Sequence, residues 1–481
     1  MFRSAATFTV FAACSFASAQ PPQVQQHIDH VTAGLLPPVV LKGDLHPAHT
    51  LAERMAALHV HGVSIAVIHD GKLEWAQGFG VVQVGGAPVT ANTLFQAGSI
   101  SKPVAATAIL RQVQQGKLSL DTDIDTQLTS WKLPADPKAN GKPVTLRELL
   151  THTGAITVHG FPGYAQGAPM PTLVQVLNGE PPANTPAIRG EGEPGSKWNY
   201  SGGGFTIAQQ LTIDQTHESF AKLIHDTVLV PIGMTHSTYD QPLPAAMQPH
   251  AATPYDRKGE PIPGGAHTYP ELAAAGLWTT PSDLARYLLE LNNSLTGKAN
   301  HVLSQQMTTQ MLTPGLGSWG LGIQIGGAPG NPYFTHGGVN EGFESIMLLY
   351  EHSGDGAIVM TNAAGGTRIA QEIVRAIADE YHWPDFQSAV KAAIPPDLKL
   401  LPEFAGSYKL TPQLTLVVKP EPAGLAVQET GQEVLHFVPS SATVFFSTDA
   451  PFELEFTRSA DGKPTQVVLR QAGRSMSAPK Q

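Results

Sequence analysis

Residues 94–110, LFQAGSISKPVAATAIL, govern how the rest of the chain is read. Val104, Ala105, Ala108, Ile109 and then Val113 recur at helical spacing, so a helix opens near Ser99. Ser99 and Lys102 stand three residues apart and share a helix face, where Cβ atoms lie about 5–6 Å apart. One reading makes Ser99 or Ser101 a helix cap and Lys102 a solvated surface cation. The other makes Ser99 a nucleophile and Lys102 its base, because a serine needs a base and a lysine removed from water can serve as one. The first turn of a helix is a poor place for a solvated cation, since the dipole there is positive. Its free N–H groups suit a developing oxyanion instead.

Working outward, residues 62–80, GVSIAVIHDGKLEWAQGFG, give two β-like runs about Asp70-Gly71, a hairpin signal. A polar, proline-rich lead-in and a short helix near 51–58 precede it. Residues 155–194 are rich in Gly, Pro and Ala and read as irregular surface loops of the kind that shape a cleft. In TTPSDLARYLLELN, Thr280 reads as N-cap, Pro281 as the first helical residue and Asp283 as first-turn acid. FTHGGVNEGFESIMLLY and GAIVMTNAAGG return to strands, and RIAQEIVRAIADEYH follows as an amphipathic helix. A linker, AAIPPDLKLLPE, leads to seven short β runs with turn residues between them, the pattern of a small antiparallel β domain or barrel.

Bulk properties narrow the function. The chain has 481 residues, 42% of them hydrophobic, enough for a large domain and a smaller one. A formal charge of −10 without a long basic run argues against a nucleic-acid partner. MFRSAATFTVFAACSFASAQ, with Arg3, an apolar run and Ala17-Ser18-Ala19, reads as an export leader cleaved after Ala19. Cys14, the one cysteine, lies inside it; FAAC is also a faint lipoprotein signal. The expected location is therefore periplasmic or secreted, and no other stretch has the ~20 apolar residues of a spanning helix.

Two more stretches complete a constellation. KWNYSGGGF sets Tyr200 in a glycine-rich turn before a helical pattern, and FTHGGVNEGF sets His336 at a strand edge before two glycines. A Ser-x-x-Lys, a Tyr-Ser-Gly and a His-Gly-Gly, in that order, resemble the serine β-lactamase and penicillin-binding-protein superfamily, in its class C β-lactamase-like branch. TLRELLTHTGAI, AAAGLWTTPSDLARYL, PIGMTHSTY and WGLGIQI resemble it too. The resemblance implies an α/β (α+β) fold: an antiparallel sheet flanked by helices, beside a mostly helical region, with the site in the cleft between. It divides the chain into a leader (1–19), a hydrolase domain (20–395) and an accessory β domain (401–481). It implies Ser99 as the acylated nucleophile, Lys102 as its base, Tyr200 as proton shuttle and His336 as the residue that polarises Tyr200 and binds substrate. Backbone N–H groups of Ser99 and Val339 would form the oxyanion hole, and Gly202, Gly337 and Gly338 would border the substrate. No cofactor or metal is implied.

Two positions depart from the family pattern. Gly202 stands where the family has asparagine, and His336 where β-lactamases usually have lysine. Both weaken a β-lactam-hydrolase reading and leave acyl transfer intact, so an ester or D-amino-acid peptide or amide is the expected small substrate. The alternatives are a true β-lactamase or DD-carboxypeptidase and, from another class, a sensor with little turnover. GLGSWG (315–320) matches Gly-x-Gly-x-x-Gly but lacks a strand–turn–helix context and reads as a strand entry. GVSIA at Gly62 fails the last glycine of a nucleophile elbow. Nineteen histidines invite a metal, but no His-Glu-x-x-His occurs; His27 with His30, and His59 with His61, read as solvated pairs.

Overall fold

A computed structural model describes residues 21–45, 47–432, 434–471 and 474–481. The leader reading of 1–19 and Cys14 lie outside the described residues. In chain order the elements that build the site are α1 (Pro22–Ala33), α2 (Leu51–Ala57), β1 (Gly62–His69), β2 (Lys72–Gly80), α3 (Ser101–Gln114), α4 (Gly202–Thr216), α5 (Pro281–Leu295), β3 (Gln324–Ala328), β4 (Asn331–Asn340), β5 (Phe343–Tyr350), β6 (Gly356–Thr361) and α6 (Gly366–Glu380). The six strands form one sheet in the order β2-β1-β6-β5-β4-β3, every neighbouring pair antiparallel. Asp70 and Gly71 turn the β1–β2 hairpin with φ of 49° and 70°, as a two-residue turn of this hand requires.

The central strands are apolar on both faces because both faces are covered. Val63, Ile65 and Val67 point to one side, where they meet Ile28 and Val31 of α1 and Ile369, Ile373 and Ile377 of α6. Ala66 and Ile68 point to the other, into a larger core shared with Val104, Phe205, Leu284 and Leu288 of α3, α4 and α5. The α6 isoleucines, four residues apart, make the apolar stripe expected of a surface helix. Thr280 caps α5 by accepting from the Asp283 N–H, worth about 1 kcal/mol.

The tail forms an eight-stranded antiparallel sheet: β7 (Gly406–Lys409), β8 (Thr415–Glu421), β9 (Gly424–Glu429), β10 (Val434–Pro439), β11 (Val444–Ser447), β12 (Phe452–Arg458), β13 (Pro464–Gln471) and β14 (Arg474–Pro479). Tyr408 bridges Lys480, and the Gln481 N–H donates to the Ser407 carbonyl, so first and last strands meet and the sheet nearly closes into a barrel. Its core includes Phe404, Tyr408, Phe437, Leu454 and Phe456.

Three sequence readings change. His27 and His30 are not solvated partners of each other: both approach the Glu380 carboxylate, at 2.7 and 3.0 Å. His61 meets the Tyr255 ring edge-on, centroids 4.4 Å apart, and bonds the Gly259 carbonyl. GLGSWG is a turn, Leu316–Ser318, with Gly317 at φ 67° packed on the Trp198 ring; the strand begins only at Gln324.

Candidate active site

Neither capping reading of the serines survives. The helix α3 begins at Ser101 and has no side-chain cap; Ser99 sits before it in a 3-10 turn, Gly98–Ile100. Ser101 Oγ donates to the Gly98 carbonyl at 2.6 Å and accepts from the Leu277 N–H at 2.9 Å, clamping the turn. Lys102 is not solvated: it is buried, and its Nζ donates to Ser99 Oγ and to the Ala274 carbonyl, both at 2.9 Å. Among the described residues no carboxylate lies within ion-pair distance of it. Its Nζ therefore rests on two oxygens, one of them the serine's.

The turn nests against β4. The ladder from β3 ends at Thr335, so from His336 onward the outer edge of β4 is free to face the serine. Contact there is backbone to backbone. Gly98 has φ of 52°, and a Cβ on it would lie 2.4 Å from the Val339 nitrogen; a Cβ on Gly338 would lie 1.9 Å from the Ala97 carbonyl oxygen. Gly338 thus admits the nucleophile turn rather than the substrate, a correction to its expected role. Gly337 is exposed and keeps its place on the cleft. Asn340 locks the end of β4 by donating to Gln96 Oε1 at 2.9 Å and to the Ala275 carbonyl at 3.0 Å.

Ser99 opens into a cleft of about 710 Å³ lined also by His159, Gly160, Phe161, Pro162, Tyr200, Trp319, Gln324, His336, Gly337 and Val339. The structure thus brings Ser99, Lys102, Tyr200, His336, Gly337 and Val339 together. Tyr200 is half-buried, with its ring centroid 5.0 Å from Lys102 Nζ. His336 is placed beside it, ring centroids 6.4 Å apart, but among the described residues no hydrogen bond joins the two. Gly202 borders the cleft only indirectly, because a Cβ there would lie 2.9 Å from the Phe161 ring and 3.1 Å from the His159 carbonyl oxygen. The space that a family asparagine would use is filled by an aromatic ring.

Sequence reasoning did not single out His152, Phe161, Trp198 and Trp319. His152 is buried under Tyr200, ring centroids 4.3 Å apart, with Trp319 at 4.8 Å; Trp319 in turn lies 5.2 Å from His336. His152 Nδ1 accepts the Ser201 N–H at 3.1 Å, which puts its proton on Nε2. His336 Nδ1 lies 2.5 Å from the Gly337 carbonyl oxygen, so its proton is on Nδ1 and Nε2 is a bare acceptor. Burial, then the Lys102 charge, pushes His336 down to about 3, against the pull of the Gly337 carbonyl. Burial first, then Lys102 and His336, holds His152 well below the usual range. Both rings are neutral at pH 7.

Glu271 stands just before the short helix Leu272–Ala275 whose Ala274 carbonyl holds Lys102. It is fully buried with neither oxygen partnered, and burial raises it to about 7. The unfolded chain loses this proton near 4.5, so between 4.5 and 7 the folded state binds more protons and stability falls as pH rises. Glu271→Gln is expected to match the parent at pH 4 and exceed it at pH 8 by about 3 kcal/mol at most, read by urea unfolding at both pH values. The two histidines act on the acid side: their unfolded forms take protons below 6.5 while the folded ones resist, so their share of stability is lost as pH falls.

Among the described residues one group has the donors for a cation, His69, Asp70 and Asp355 at the hairpin turn, away from the cleft. No helix among the described residues is long and apolar enough to cross a membrane.

A family model described as Beta-lactamase matches residues 48–382. Penicillin-binding protein 4* of Bacillus subtilis (strain 168) is 25% identical over 463 residues, covering 87% of this chain and 95% of its own length. The octameric penicillin-binding protein homologue from Pyrococcus abyssi superposes with a TM-score of 0.61 at 22% identity, over 89% of this chain and 98% of that one. The D-amino acid amidase from Ochrobactrum anthropi SV3, complexed with D-phenylalanine, gives 0.57 at 19% identity, over 75% and 99%. At these identities the two structures bear on the fold alone.

Proposed function

The chain belongs to the Beta-lactamase family, and from that premise we propose that it is an exported serine acyl-hydrolase, forming an acyl-enzyme on Ser99 and acting on ester or D-amino-acid amide and peptide bonds ahead of β-lactams. The observation that carries this reading is the 2.9 Å contact between Ser99 Oγ and a buried Lys102 with no carboxylate partner. Ser99 Oγ attacks the substrate carbonyl carbon while its single proton is relayed by Tyr200 to Lys102, which serves as base in its free-amine form. The oxyanion is received by the backbone N–H groups of Ser99 and Val339. Collapse expels the alcohol or amine, which takes the proton back through Tyr200. Water then attacks the acyl carbon by the same proton route, releasing acid and free Ser99.

The cleft lining supports the substrate order. Among the described residues its lining has no lysine or arginine to pair with the carboxylate of a penicillin, apart from Lys102 behind the serine, and the position of the family lysine holds a neutral His336. The amide group expected beside a lactam or peptide side chain is replaced by Gly202 with Phe161 packed over it. A missing hydrogen-bond partner typically costs about 1–3 kcal/mol. An ester, with its better leaving group, tolerates a looser site, and Phe161, Pro162 and Trp319 offer an apolar wall to its acyl group. The likeness to an amidase complexed with D-phenylalanine keeps amino-acid amides in view.

The test is a fluorophosphonate probe together with p-nitrophenyl esters, a chromogenic cephalosporin and a D-alanyl peptide. Labelling at Ser99 with an ester or the peptide turned over fastest is expected. An unlabelled serine would leave a sensor-type binding protein, and a cephalosporin with the highest kcat/KM would reverse the substrate order. Phe161→Ala is expected to raise KM for long-acyl esters about tenfold while sparing acetyl esters, because burying a phenyl ring is worth about 1.5–3 kcal/mol.

A further inference from the structure

The cleft is not the one sizeable cavity among the described residues. A space of about 780 Å³ lies where the open end of the barrel meets the start of α6, and it shares no lining residue with the cleft. Its inner wall is the barrel's own core: Leu416, Val427, Phe437, Leu454 and Leu469. Unfilled space against such side chains forfeits the packing that protein interiors otherwise reach, and an apolar occupant restores it.

The outer wall indicates what the other end of that occupant is. Three of its charged groups, Glu344, Arg368 and Asp449, are held within the wall itself. Glu344 accepts from the Gly365 and Thr367 N–H groups at 2.6 and 2.7 Å, capping α6. Arg368 of α6 pairs with Asp449 of the barrel at 2.7 Å, strapping the two walls together. An anionic head seated at Arg368 would have to break its pair with Asp449, and it would meet the Glu429 carboxylate as well. By contrast Gln371, Gln432 and Gln471 fringe the space with exposed amide groups that, among the described residues, make no side-chain hydrogen bond. Neutral donors and acceptors around an apolar interior fit a molecule with an alkyl chain and an uncharged hydrogen-bonding end.

We propose that the space between barrel and α6 is a second binding site, for an uncharged amphiphile such as a long-chain alcohol, ester or amide. Glu344, which anchors one wall, stands opposite Val339 in the β4–β5 ladder, one strand in from the serine edge.

The experiment uses the full chain with N-phenyl-1-naphthylamine, a neutral fluorophore, displaced by 1-dodecanol, dodecanoate or dodecylammonium. Expected are one probe per chain, displacement by dodecanol at least tenfold tighter than by either ion, and unchanged binding after Ser99 is blocked with fluorophosphonate. Val427→Phe, which fills the interior, should weaken binding at least tenfold while leaving the melting temperature unchanged or higher. Leu435→Glu, at the half-buried rim, should weaken it similarly with the barrel intact. No saturable probe binding, loss of binding on blocking Ser99, preference for a charged amphiphile, or full binding by a folded Val427→Phe chain would each overturn the proposal.

Discussion

Replacing Ser99 with alanine is expected to cut kcat/KM for the best ester by about ten-thousandfold or more, because the group that forms the acyl-enzyme is removed and general acid–base groups alone cannot replace it. The fold should persist. Ser99 is half-buried, and Lys102 Nζ keeps the Ala274 carbonyl at 2.9 Å when the serine oxygen is gone. Losing one hydrogen bond costs about 0.5–1.5 kcal/mol, a modest drop for a chain with two large apolar cores. Circular dichroism should match the parent and fluorophosphonate should not label the variant. Activity above about one per cent of the parent in a folded Ser99→Ala chain would mean that the acyl group is carried elsewhere.

The parts of this site legible in the sequence are those set by local rules. Ser99 and Lys102 are near in sequence, so turn and helix geometry alone brings them together. Asp70-Gly71 and Thr280-Pro281 are local signals, and the hairpin and helix start lie where those residues place them. What the sequence withheld depends on long-range packing. His152 lies 48 residues from Tyr200, in a left-handed backbone position at φ 59°, and only the folded loop slides its ring beneath the tyrosine. Phe161 belongs to a stretch read as cleft-shaping loop, which is irregular around it although Leu173–Asn178 form a short capped helix, and no local pattern says that its ring closes on Gly202. For that reason the glycine looked like an absence, a missing amide, when it is a fitted contact. Gly338 carries the same lesson. His-Gly-Gly suggested room for substrate, yet the neighbour that needs the second glycine is the protein's own nucleophile turn.

That contact makes Gly338→Ala the most severe of the conservative changes. The added methyl would stand 1.9 Å from the Ala97 carbonyl oxygen, 2.9 Å from its carbon and 3.3 Å from the Ile100 nitrogen, all backbone atoms with no rotamer to yield. The turn cannot retreat easily, because its far side is tied down: the Ala97 N–H donates to the Leu277 carbonyl at 2.9 Å, and Ser101 Oγ accepts from the Leu277 N–H. Strand β4 is held in turn by β5 along its inner edge and by Asn340 at its end. Overpacking of this kind costs about 1–3 kcal/mol or more in stability. Its larger effect falls on chemistry, since Ser99 and the Val339 amide sit on opposite sides of the forced contact. A misplacement of about 1 Å between a nucleophile and its oxyanion donors is enough for about a hundredfold loss, and losing one donor outright costs about 100–1000-fold. Gly338→Ala should therefore lower kcat by about 100-fold or more with KM changed little, in a chain that still folds. Gly337→Ala is the control, one residue away on the same strand: its methyl would meet only the Ser345 carbonyl oxygen, at an ordinary 3.7 Å. That variant should keep its melting temperature and most of its kcat. Equal kcat losses in the two variants would show that the close approach of Gly338 to the serine turn does not set the catalytic geometry.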